Sequence, residues 1–132
     1  MNIPVLIVAC ICLLALFAHI LGGTKETASL SPHVRGEGEN EKLTRSWEQA
    51  MCAFQMLSVD LLLVTGALFT ILLTDIVTFE YELTLFLSLV FLLWGVAWLI
   101  QMFWLKSKAK AYFILPQWLL WFVCSGLLYW GA

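Results

Sequence analysis

Charge is scarce in this chain, and the little there is stands outside its long apolar stretches. Charged residues make up 12% of the 132 positions and the formal net charge is −2. Phosphate recognition needs an excess of Lys and Arg on one surface. With seven Lys and Arg against nine Asp and Glu, nucleic-acid binding is excluded. Cysteine is sparse too: Cys10, Cys12, Cys52 and Cys124 lie inside apolar stretches, with no Cys-x-x-Cys or Cys/His spacing. That removes a zinc site and a disulfide framework and leaves four small apolar packing residues. Also missing are a phosphate loop, a nucleophile with its base, a paired haem-histidine set and a metalloprotease helix. No metal or cofactor is expected.

What is abundant is apolar: 62% of residues are hydrophobic, outside the range of ordinary soluble domains. Apolar runs occupy about 3–21, 50–73, 83–105 and 111–129, each near the ~20 residues a helix needs to cross ~30 Å of hydrocarbon. They predict four transmembrane helices in one all-α domain. Barrel strands would be ~10 residues long and alternate apolar with polar, whereas these runs are apolar on every face. The first run has no Lys or Arg before it and exceeds the 7–15 residues of a signal-peptide core, so it is read as a span. Short second and third connections make helices two, three and four successive antiparallel neighbours, and the expected fold is an up-and-down four-helix bundle.

Direction follows from where Lys and Arg fall. Lys25, Arg35, Lys42 and Arg45 lie in the first connection, Lys106, Lys108 and Lys110 in the third, and none in the N-terminal tail, the 74–82 turn or the C-terminus. Loops 22–49 and 106–110 are therefore expected in the cytoplasm and both termini on the opposite side of the membrane. Aromatic residues agree: Trp47, Trp104, Tyr112 and Phe113 lie near the inner boundary, and Phe79, Tyr81, Tyr129 and Trp130 near the outer one. The polar stretch 22–49 reads as a mobile, partly disordered loop. Ser46 followed by Gln49 resembles a capping box, so the second helix is expected to start there and to enter the membrane near Ala50. Pro116 falls near the start of the fourth helix, where a missing N–H is tolerated or causes a modest kink.

Asp60 is the one acid well inside a span. It lies about eleven residues beyond the cytoplasmic boundary, ~16 Å deep at 1.5 Å per residue. An ionisable group there costs several kcal/mol unless paired or hydrated. Two roles are open to it: a functional group facing the bundle or a wet cavity, or a protonated structural residue hydrogen-bonding across helices. No Lys, Arg or His shares its depth, whereas Trp94, Trp98 and Trp121 do, and each indole N–H is a possible donor to it. His19 ends a narrow face of small residues (Val8, Cys12, Ala15, Gly22) that suits close helix packing, and it meets water or a carbonyl more readily than a metal. Gln55, Ser58 and Thr65 give helix two a weakly polar face, and Ser88 with Gly95 gives helix three a small-residue seam. Gln55 and Asp60 are about 140° apart around a helix, which weakens a proton relay between them.

The stretch His19-Ile-Leu-Gly-Gly-Thr-Lys-Glu26, then Trp47 and Ala53-Phe-Gln-Met-Leu-Ser58, resembles small bacterial four-span membrane proteins of uncharacterised function over helices one and two. That resemblance implies a His-x-x-Gly-Gly-x-x-Glu stretch closing the first span, which His19, Gly22, Gly23 and Glu26 match. It also implies a Trp-His pair early in the second, where this chain has Phe54-Gln55. A histidine-pair ligand set would lack one member here.

Three functions fit these features. The first is a non-enzymatic accessory or assembly subunit that packs against another membrane protein, with membrane lipids around it, or that forms a homo-oligomer. The second is an oligomeric proton-linked transporter or channel using Asp60. The third is an enzyme subunit with a quinone or lipid pocket at the Trp94, Trp98 and Trp121 layer.

Overall fold

The computed structural model describes residues 2–114 and 116–132 and is helical throughout, with no strand among the described residues. Its elements are α1 (Ile3–Phe17), a π-helical segment (Ala18–Gly23), α2 (Thr24–Ser29), α3 (Glu41–Leu73), α4 (Glu80–Trp104), α5 (Ala109–Ile114) and α6 (Gln117–Gly131). Among the described residues three helices are long and apolar enough to cross a membrane: the continuous stretch Ile3–Ser29, Glu41–Leu73 and Glu80–Trp104.

The helices begin and end where local chemistry places them. Asn2 caps α1, its Oδ1 accepting the Val5 N–H at 3.3 Å, and Asn40 caps α3 in the same way through the Leu43 N–H at 3.1 Å; each satisfies one of the first-turn donors that a helix leaves free. Ser46 is not a cap, contrary to the expectation from the Ser-Gln spacing. It sits inside α3 and donates back to the Lys42 carbonyl at 2.9 Å, a bond that serine makes within a helix. Nor is 22–49 mainly loop. Residues 24–29 and 41–49 are helical, because the strong helix formers of Glu41–Gln49 extend α3 once Asn40 has capped it and Glu41 suits the positive helix end. Only 30–40 connects the two.

The predicted fourth span also differs. Pro116 separates α5 from α6 instead of bending one helix, and its carbonyl accepts the Leu119 and Leu120 N–H groups at 3.0 and 3.3 Å. Leu115, inside that predicted span, lies outside the described residues. At 15 residues α6 is about 22 Å long, shorter than the hydrocarbon core. Ahead of α5, α4 closes with Lys106 at φ 51°. The Lys106 N–H bonds the Phe103 carbonyl and the Ser107 N–H the Met102 carbonyl, both at 3.0 Å, the paired arrangement that needs a left-handed residue after the helix.

The chain forms two compact units, Ala9–Ala67 and a second made of Leu68–Ala132 with the first turns of α1 up to Val8. In the second unit α4 and α6 pack antiparallel with backbones in close approach. Small side chains permit it, as they do between membrane helices. Buried Ser88 donates to the Ser125 carbonyl at 2.8 Å, its hydroxyl 3.2 Å from that of Ser125. Phe122 lies over Gly95, where a Cβ would stand 2.7 Å from the ring. Beside them Phe91, Trp94 and Trp121 form an aromatic cluster with centroids 5.3–5.8 Å apart. The Asn2 amide donates to the Gly131 carbonyl, joining the start of α1 to the end of α6.

Candidate functional site

In the Ala9–Ala67 unit the polar side chains sort into a connected group around His19 and an isolated Asp60. The connected group starts from the π-helical segment. There the Thr24 N–H reaches back five residues to the His19 carbonyl, and Thr24 Oγ1 donates to the same oxygen at 3.3 Å. One extra residue is thereby accommodated without breaking the helix, a feature frequent at functional positions. His19 stacks on Phe54 of α3 with centroids 3.8 Å apart and planes 21° from parallel. Its Nε2 is 2.9 Å from the Phe54 carbonyl; since a carbonyl only accepts, Nε2 carries the hydrogen of that bond. Gly23 completes the contact, because any Cβ there would stand 2.8 Å from Phe54 Cζ.

From Thr24 the bonds continue along α3. Gln55 Nε2 donates to Thr24 Oγ1 at 3.1 Å, and Ser58 Oγ donates to Gln55 Oε1 at 3.2 Å. Trp47 Nε1 donates to the Thr27 carbonyl at 3.3 Å. His19 and Gln55, predicted as separate polar candidates, are thus brought together through Thr24. Thr24 itself was missed, because in an unbroken α-helix residues five apart do not share a face. Chemically the group is a chain of neutral hydrogen bonds fastening the end of the first helix to α3.

Asp60 stands apart from it. The side chain is exposed and has no hydrogen bond or ion pair among the described residues. Exposed Met56, Val59, Leu62 and Leu63 surround it on the helix surface. Of the indoles expected to serve it, Trp94 and Trp121 meet each other edge-on at 5.5 Å, and the Trp98 N–H is buried without an acceptor among the described residues, as Thr65 Oγ1 and Gln117 Oε1 are without partners.

The four cysteines form no disulfide among the described residues; Cys12 and Cys124 are buried and Cys10 and Cys52 exposed. Among the described residues no three His, Cys, Asp or Glu side chains gather closely enough to hold a metal ion. A polar recess of about 520 Å³ lies beside the 74–80 turn, lined in part by Asn2, Asp75, Glu80, Tyr81 and Thr84.

Together these features define an all-helical protein with, among the described residues, three helices long and apolar enough to cross a membrane, one of which, α3, carries an exposed acid within its apolar run. Comparison with protein-family models, curated proteins and solved structures finds no match in any of the three.

Proposed function

We propose that this chain is a four-pass bacterial inner-membrane protein that acts, without catalysis of its own, as an accessory or assembly subunit packed against another membrane protein. The observation that carries this is the exposed, unpartnered Asp60 on an otherwise apolar surface of α3. Ala50–Leu73 is a run of 24 apolar-rich positions, and Asp60 lies about 15 Å from its start and 20 Å from its end. A carboxyl at that depth facing lipid costs several kcal/mol. Contact with a protein surface that satisfies it removes the cost.

Charge supports the topology. All seven Lys and Arg fall in two stretches between the apolar runs, 22–49 and 106–110, which the positive-inside rule assigns to the cytoplasm. The antiparallel packing of α6 on α4 supports a fourth crossing, with α5 and the Pro116 break making up the depth that a 15-residue helix lacks.

The test is the size and make-up of the native complex. Membranes from the source organism, solubilised gently, are resolved by native electrophoresis with mass spectrometry of the band. A stoichiometric heteromer that shrinks when Asp60→Leu is introduced is the expected result. A monomer would refute the accessory role; a pure homo-oligomer would move the weight to transport through a path shared by several copies.

A further inference from the structure

Resting on the accessory reading, we propose that Asp60 is one half of an intramembrane acid–base pair: its partner is a transmembrane helix of a different protein that carries a Lys or Arg at mid-depth and lies along the seam Ala53, Met56, Asp60, Leu63 and Ala67 of α3. These residues recur at alternating intervals of three and four, the spacing of a left-handed helix–helix seam. Ala53, Met56, Asp60 and Leu63 are exposed and Ala67 half-buried, so the seam is open along its length. Alanine at both ends lets a second backbone approach closely, and the larger Met56 and Leu63 flank the acid on either side, which suits knobs-into-holes packing around a central polar position.

The chemistry selects the occupant. A carboxyl in hydrocarbon accepts hydrogen bonds, and the donor that also matches its charge is an ammonium or guanidinium. No such group is available from a second copy: Lys25, Arg35, Lys42, Arg45, Lys106, Lys108 and Lys110 all lie outside the apolar runs. A symmetric pair of α3 helices would bring two Asp60 carboxyls together, a like-charge arrangement that disfavours ionisation of both. Of the other polar residues on this part of α3, Gln55 and Ser58 are engaged with Thr24 and each other, and Thr65 is buried. Asp60 is left to specify the partner and its register, the best-attested role of a single polar group in a packed helical seam.

The test uses the full chain in phosphatidylethanolamine/phosphatidylglycerol vesicles, with synthetic Leu/Ala transmembrane helices carrying one central Lys, Leu or Asp, and reads energy transfer between labels on chain and helix. The Lys helix is expected to bind at least ~10-fold more tightly than the Leu helix, worth ~1.4 kcal/mol. Asp60→Asn should erase that preference, and Asp60→Lys should transfer it to the Asp helix. Ala53→Phe keeps the acid but blocks the seam, and should weaken the Lys helix several-fold. Equal binding of Lys and Leu helices, or a preference that survives Asp60→Asn, overturns the pairing. So does chain–chain transfer that depends on Asp60 and that the Lys helix cannot displace, which would assign the seam to a second copy. The two proposals fail separately. A native heteromer unaffected by Asp60→Asn sinks the pairing and keeps the accessory role; Lys-helix binding without a native heteromer does the reverse.

Discussion

Gly95→Ala isolates how tightly α4 and α6 are held. A Cβ at position 95 would stand 2.7, 2.8 and 3.1 Å from Phe122 Cε1, Cδ1 and Cζ, so one whole ring edge must move, and that ring is also set edge-on to Trp118 at 6.3 Å. Overpacking of this kind costs about 1–3 kcal/mol. Against it, alanine is a better helix former than glycine by about 0.5–1 kcal/mol. The expected net effect is destabilisation of about 1–2 kcal/mol. Removing the ring removes the clash, so in a Phe122→Ala background Gly95→Ala should be neutral or stabilising by about 0.5 kcal/mol. The coupling energy between the two positions then equals the steric cost alone, about 1–3 kcal/mol. Unfolding by SDS in mixed micelles, followed through the seven tryptophans, measures all four corners of the cycle. A coupling below about 0.5 kcal/mol would mean that Gly95 is not where the ring and the helix meet.

Other positions give shorter tests by the same titration. His19→Phe keeps the stack on Phe54 and loses the bond to its carbonyl, and should cost about 0.6 kcal/mol, the average for such bonds in membrane proteins. His19→Ala loses both and should cost about 1–2 kcal/mol; equal losses for the two would deny the stack a role. Lys106→Gly should be more stable than Lys106→Ala by about 1 kcal/mol, since only glycine takes the left-handed conformation freely, and the two variants change charge equally. For the proposed topology, a membrane-impermeant thiol reagent applied to cells carrying one introduced cysteine in a cysteine-free chain should label Asp75→Cys and Ala132→Cys and leave Glu39→Cys and Ser107→Cys protected. Protection of Ala132→Cys alongside labelling of Asp75→Cys would show that α6 does not cross.

The helices of this fold are written in apolar runs, and those were legible; their ends were not. The first run looked finished at Leu21, where its apolar residues end, yet the helix continues to Ser29 by inserting one residue as a π turn. Gly23, in helical conformation against the Phe54 ring, serves packing and not termination, and no local pattern separates the two uses. The start of α3 was placed at Ser46 on a spacing rule, whereas Asn40 holds the cap; both residues are good caps, and the choice depended on whether the charged stretch between them was helical. Pro116 was read as tolerable near a helix start. It is tolerable there, but only because the helix starts over after it.

The place of Asp60 along its helix was legible in the sequence and its direction was not. Counting residues from the end of the apolar run places Asp60 near the middle of that run without any structure, because the rise per residue is fixed. Which way it points depends on which faces of α3 are covered, and in a helix apolar all round the sequence carries no stripe to say so. The buried positions Ser58, Leu61, Val64, Thr65 and Leu68 cluster on one side, and at 100° per residue their mean direction lies about a quarter-turn or more from Asp60. The acid therefore edges the covered face without joining it. Its neighbours along that edge are Met56 and Leu63, both exposed, and the proposed partner helix would meet the acid between them.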